Sequence, residues 1–320
     1  RQFVVKNSIG NEIPSQLTHD GKILVEIAVA PSSSATITIA TGLPKSYVNT
    51  CYGRMYPERV DDIAWENDRG AYRCYGPALQ ASGEQAFGND VWVKNTPDLV
   101  VESRYHNELV NKLSYHVDRG YGLDCYKVGP TLGCGTPAII EGDNIRFPYC
   151  WTAYEILDNG PLRFTVRLDY GANGEHRIMS LDKGSNFNKM TVWYDAITTP
   201  VDVASGVVIH TEDTESVVLG KDYVQYADPT DNPKAQNFQI YVAAIFPDGV
   251  DATRKVMYQN PVRGNAGHAL GIKKGLQPNE KFTYYFGSSW SKYDCRNQKE
   301  WQMRIDNFKL ALAQPLEIIL

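Results

Sequence analysis

The sequence predicts a mostly-β protein of antiparallel strands with few helices, one of them near the C-terminus. Three observations carry this reading. Alternating or apolar runs of β-branched and aromatic residues recur from end to end. Gly, Pro, Asn and Asp punctuate them, and 20 tyrosines and 6 tryptophans suit half-buried pleated surfaces.

In chain order, the strand candidates are FVVK from Phe3, ILVEIAV from Ile23, ATITIAT from Ala35, VWVK from Val91 and RFTVRLDY from Arg163. KMTVWYDA from Lys189, GVVIH from Gly206, FQIYVAAIF from Phe238, FTYYFGSSW from Phe282 and LEIIL from Leu316 complete the series. In each, period-two patterning lets one set of side chains face a core, and turn residues at the ends favour hairpin connections. A helix is expected after Asp294 as its N-cap, where Trp301, Ile305, Phe308 and Leu312 recur at helical spacing before Pro315. Its role would be to cover a sheet. A second short helix is expected within residues 104–116 through Tyr105, Leu109 and Leu113; on it, His106 and His116 would not share a face.

No linker, low-complexity tract or fixed-period repeat divides the chain, so residues 1–320 read as one domain, with 1–45 set apart as a candidate N-terminal lobe. The net charge of -5 offers no basic face for nucleic acid. No run approaches the roughly 18 apolar residues that a membrane-spanning helix requires. The chain begins at Arg1 rather than Met, which fits removal of a secretory leader, and a periplasmic or secreted location is expected. Six cysteines in a chain of this length are too sparse for a disulfide framework, and most are expected to be buried free thiols.

Candidate chemistry concentrates between Arg104 and Gly135, where His106, His116, Asp118, Asp124, Tyr126 and Lys127 lie among turn residues. Asp124 and Tyr126 would share a strand face with Lys127 on the other, and Tyr126 or Lys127 could serve as acid or base. Upstream, Arg69 and Arg73 have an even offset. On one extended strand, they would either clamp a substrate carboxylate or pair structurally with Glu66 and Asp68. Trp92 is a candidate sugar-stacking platform. His210 lies in an apolar strand with Glu212 two residues on, as a proton shuttle or a satisfied core histidine. His268 is similarly placed, whereas His19 and His176 read as loop residues. His106, His116 and Asp118 match no established ligand spacing, so neither metal nor cofactor is expected. Walker, G-x-S-x-G, H-E-x-x-H and dinucleotide motifs do not occur.

Four blocks carry a resemblance: YPERVDDIAWENDRGAYRCYGPAL from Tyr56, GNDVWVK from Gly88, YHVDRGYGLDCYKVGPTLG from Tyr115 and EILDNGPLRFTVRLDY from Glu155. They resemble the bacterial domain of unknown function 4861, and the resemblance covers nearly the whole chain. GHALGIKKGLQPNEKFTYYFGSSW from Gly267 is similar to strands of the galactose-mutarotase-like supersandwich. The resemblance implies an exported antiparallel β-supersandwich encoded beside glycan-degrading enzymes in polysaccharide-utilisation loci, with no settled reaction. The segment from His106 to His116 is longer than the family's His-rich turn, so both histidines remain candidates for the equivalent position.

The expected function is carbohydrate chemistry on uronate-containing oligosaccharides or polysaccharide fragments, by β-elimination. It needs a cation for the carboxylate, a base for the C5 proton and an acid for the leaving oxygen. The candidates are Arg69 or Arg73 as clamp, His116 or His210 as base and Tyr126 or Lys127 as acid, with His106, Asp124 and Trp92 binding substrate. The alternatives are a mutarotase or epimerase using a His acid and a base such as Glu212, or a non-catalytic glycan-binding module. The oligomeric state is left open.

Overall fold

A computed structural model describes residues 2–319. The chain is mostly β, and its strand ladders are antiparallel. Three α-helices accompany them: α1 (Pro77–Ala81), α2 (Val101–Leu109) and α3 (Gln298–Ala313).

The largest sheet has eight strands in the order Trp151–Asn159, Arg163–Tyr170, Glu175–Asp182, Phe187–Tyr194, Phe282–Trp290, Ile240–Ile245, Tyr223–Asp228 and Val217–Leu219. Its alternation is legible residue by residue. Phe164, Val166 and Leu168 are fully buried, while Arg163, Arg167 and Asp169 on the other register reach solvent and only Thr165 of that register is buried. A five-stranded sheet joins Asn144–Arg146, Ala138–Glu141, Val201–His210, Asn265–Leu276 and Ala252–Val262. A second five-stranded sheet, here the roofed sheet, joins Tyr52–Tyr56, Asp62–Glu66, Gly70–Cys74, Asp90–Lys94 and Gly122–Asp124.

One apolar core unites these three sheets. Trp65 stacks on Phe164 and on Tyr72, whose ring meets Phe286 edge-on. The Trp65 indole donates to Asn188 Oδ1 at 2.7 Å, satisfying its buried N–H. Gly135 approaches this core with φ of +76°, and a Cβ there would fall 2.0 Å from Phe286 Cγ. Only glycine fits both constraints.

The roofed sheet is covered on both sides. Ile63, Trp65, Tyr72, Cys74, Val91, Val93 and Leu123 face the common core. The opposite face carries Asp62, Ala64, Glu66, Arg73, Asp90, Trp92, Lys94 and Asp124, and it is roofed by Val101 and Tyr105 of α2 and by Tyr115. The sheet itself anchors that roof: Glu66 accepts the N–H groups of Val100 and Val101 at 2.8 and 2.7 Å and also holds Lys94 at 2.6 Å. A carboxylate from another strand thus supplies the N-terminal cap that Val100 lacks.

Several elements differ from the sequence expectations. ILVEIAV forms a strand only over Ile23–Val25, and α2 stops at Leu109 rather than near 116. LEIIL is not a strand: Leu316, Ile318 and Ile319 are exposed and meet no partner strand among the described residues. Leu320 lies outside the described residues. Helix α3 is capped by Asn297, whose side chain accepts from Glu300 N, while Asp294 instead bonds Ser289, Asn186 and Arg304. As expected, α3 covers a sheet, burying Trp301 and Ile305 against Phe187, Tyr241 and Ala243. Residues 3–41 contribute two small antiparallel pairs, Phe3–Asn7 with Ile37–Thr41 and the hairpin Ser15–Leu17 with Ile23–Val25, and the hairpin region is tied to the eight-stranded sheet by Gln16 to Leu162 and Arg163 and by His19 to Asp158.

Candidate acid–base site

The face roofed by α2 and Tyr115 gathers charge around one guanidinium. Arg73 is buried and bonds Asp90 Oδ2 at 2.5 Å and Asp124 Oδ2 at 2.9 Å, with Asp62 Oδ2 at 3.7 Å. Its hydrogen bonds extend to Tyr75 and Tyr115, each at 3.3 Å, and Trp92 lies against its plane. Three carboxyls thus face one fully buried cation, an excess of negative charge that burial makes costly. Burial holds the Asp62 carboxyl up at about 6 against the pull of Arg73 and Arg59. The same burial raises Asp90 and pushes Asp124 well above the carboxylate range, where Asp90 raises it further.

His116 connects this cluster to solvent. Its Nδ1 is 2.9 Å from the Asp124 carbonyl oxygen and 3.7 Å from Asp124 Oδ2, and its side chain is 51% exposed. A carbonyl only accepts, so Nδ1 carries the proton, which leaves Nε2 as the basic nitrogen of the neutral tautomer. Beside it, Asp231 donates its backbone N–H to Cys125 O at 2.8 Å, and its carboxyl, raised chiefly by partial burial, is drawn down by His116. An oriented imidazole between carboxyl groups at a solvent boundary is suited to proton transfer.

The structure therefore brings His116, Asp124, Arg73 and Trp92 together but gives the last two different surroundings from those expected. Arg69 lies in the turn before Gly70, not on a strand with Arg73; it is near Asp68 at 4.0 Å and Asp294 at 3.9 Å. The shared-face clamp is corrected accordingly. Glu66 and Asp68 are not Arg73's partners either; its ion pairs come from Asp62, Asp90 and Asp124 across adjacent strands. Trp92 is buried, stacked on Tyr115 and donating to Asp90 Oδ2, so no sugar can reach its face. His106 is exposed on α2, where Arg104 and Tyr105 take the inward positions.

His210 is fully buried, and its partner is Asp228, not Glu212. Nδ1 lies 3.0 Å from Asp228 Oδ2, a close charge contact off the hydrogen-bond line, while Nε2 is 2.9 Å from the Lys127 carbonyl. Both neighbours accept, which favours the imidazolium; its pKa is raised by Asp228 against the opposing effect of burial, the largest influence. A ring whose two nitrogens both face acceptors and that is sealed from solvent holds structure and is not placed to take a proton from a substrate. Tyr126 is also buried, with its hydroxyl lacking a hydrogen-bond partner and its ionisation pushed far up by burial. Lys127 lies half-buried along Gly264, whose absent Cβ leaves room for its ammonium. His268 is a neutral core residue that accepts from Leu132 N at 3.1 Å, with its pKa lowered by burial to about 3. His176 is not a loop residue: it sits in the strand Glu175–Asp182 between Asp169 and Asp195 and stacks on Trp193.

Sequence reading missed Asp62, Asp90, Asp231, Tyr75 and Tyr115. The signal for the first two was present: each opens an alternating strand on the polar register, DIAWE and DVWVK. Two surface cavities of about 480 and 370 Å³ open elsewhere, around Ile139, Arg146 and Asn173, and none of the candidate residues lines them. The oriented imidazole, rather than concavity, marks the candidate position.

All six cysteines are free, with Cys150 the least buried. Among the described residues, no helix is long and apolar enough to cross a membrane, and no cluster of three His, Cys, Asp or Glu side chains could hold a metal.

Among known proteins, the chain is 28% identical over 287 residues to uncharacterized protein P7 of Formosa agariphila, covering 84% of this chain and 69% of that protein. YidC of Thermotoga maritima superposes with a TM-score of 0.33 at 10% identity over 79% of this chain and 55% of its own. An alpha-mannosidase of Enterococcus faecalis V583 gives 0.35 at 9% identity over 95% of this chain and 40% of its own. The chain thus spans about half or less of these two structures, and likenesses this distant support no conclusion about fold or function. Residues 1–318 match the model of the domain of unknown function DUF4861, and the chain belongs to that family.

Proposed function

We propose that this protein is a carbohydrate-active enzyme that performs proton-transfer chemistry, β-elimination on uronate-containing oligosaccharides, with His116 as the base. One observation carries the reading: Nδ1 of an exposed imidazole is fixed on the Asp124 carbonyl, leaving Nε2 bare toward solvent above a buried Arg73–carboxyl cluster. In the proposed step, Nε2 removes the proton at C5. The electron pair forms the C4–C5 double bond, the C4–O bond breaks, and the leaving oxygen is protonated by the imidazolium that has just taken the C5 proton. Asp231 stabilises the imidazolium, and Arg73 holds Asp124 in place without contacting substrate. An exported protein working beside glycan-degrading enzymes would meet such substrates outside the cytoplasm.

Incubation with a mixed library of uronate-containing oligosaccharides, followed by mass spectrometry, tests this directly. Elimination yields fragments bearing an unsaturated terminal uronate. Deuterium uptake from heavy water without cleavage would replace the reading with epimerisation, and unchanged masses in both solvents would remove catalysis on these substrates.

A further inference from the structure

The loop after Asp228 runs from the base to an aromatic side chain in an uncommon backbone state. Phe238 is 57% exposed, and its φ of +62° lies in the left-handed region, which a bulky residue rarely adopts. The alternating pattern predicts that Phe238 begins a strand, yet the strand begins at Ile240. Neighbouring anchors hold the residue in this position: Trp290 Nε1 donates to Asn237 O at 2.9 Å, and Phe238 packs edge-on against the Trp290 ring at 5.8 Å. Lys292 Nζ stands 5.4 Å from both ring centroids and bonds Asp118, two residues from His116. At the other end of the loop, Asn237 reaches Asp231, the neighbour of His116, at 3.5 Å.

Resting on the reading of His116 as base, we infer that Phe238 and Lys292 form the docking edge for an acidic pyranose. The ring of Phe238 receives the C–H face of the sugar, and Lys292, an ammonium with three donors, meets its carboxylate. Backbone strain of this kind persists where surrounding contacts impose it and commonly accompanies binding surfaces. Here it turns an apolar face outward beside Lys292, whose partner Asp118 lies two residues from His116, instead of into the core. The edge supplies the carboxylate-binding cation that Arg73, enclosed by three aspartates, cannot provide.

Binding of methyl β-glucuronide and of its neutral counterpart, methyl β-glucoside, is measured by saturation-transfer NMR and titration of tryptophan fluorescence. Wild type is expected to prefer the glucuronide. Phe238→Gly is expected to weaken glucuronide binding about tenfold while leaving the melting temperature equal or higher, because glycine relieves the positive φ. Phe238→Trp is expected to restore binding, and Lys292→Met to bring the glucuronide down to the level of the glucoside. Unchanged affinity in Phe238→Gly, equal affinity for the two sugars in wild type, or no binding of either overturns the inference. Phe238-dependent binding in a protein with no turnover would retain the docking edge and reject the elimination reading, so the two failures are distinguishable.

Discussion

At the scale of single residues, exposure combined with one fixed ring nitrogen separates the proposed base from the buried histidines. His116 is half exposed with one nitrogen committed, His210 is enclosed by two acceptors, and His268 is neutral in the core. Replacing His116 with Gln should lower turnover about 10²–10⁴-fold with little change in the urea midpoint, the contribution expected of a positioned base. A variant equally active would remove His116 from the mechanism. The two buried histidines impose opposite pH dependences. His268 has a folded pKa of about 3 against an ordinary 6.5, so the unfolded chain binds its proton first, and stability falls as pH drops through that window. His210, raised in the fold, contributes stability that is complete below the unfolded pKa and lost as pH rises through the folded one. Urea midpoints at pH 7.5 and 4.5 should therefore converge in His268→Gln relative to wild type; an unchanged difference would show that other groups set the acid limit.

At the scale of elements, two helices are held by the sheets they cover. α3 inserts Trp301 between Phe187 and the strand Ile240–Ile245, where the indole N–H reaches Val242 O at 3.4 Å. Trp301→Ala should cost about 3–5 kcal/mol in chemical denaturation, the range for deleting a fully buried aromatic. α2 depends on Glu66 beneath its first turn. Glu66→Ala removes both the cap and the partner of buried Lys94, so hydrogen exchange should accelerate first in residues 100–109 and at Lys94. Uniform acceleration across all sheets would mean that α2 does not open separately.

At the scale of the whole molecule, the common core of three sheets is expected to unfold in one calorimetric transition, whereas the exposed segment around Ala28–Ser34 should be nicked first by protease. Arg73 links four strands of chemistry to that core: Arg73→Met leaves three buried carboxyls uncompensated and should cost about 3–5 kcal/mol, part of which Asp90→Asn should restore. A double variant no better than the single would argue against the charge account. The antiparallel β class, most strand positions and the C-terminal helix were legible in the residues alone, because period-two and 3.6-residue patterning are local properties of the chain. The residues also pointed to the segment holding His116 and Asp124. Only the tertiary structure decided which histidine reaches solvent, and it showed that Arg73 and Trp92 lie beneath a roof. A polar strand face reads as solvent-facing until α2 and Tyr115 close over it, and Asp231 and Lys292 come to the segment around His116 through contacts between residues more than 100 positions apart, Asp231 to Cys125 and Lys292 to Asp118.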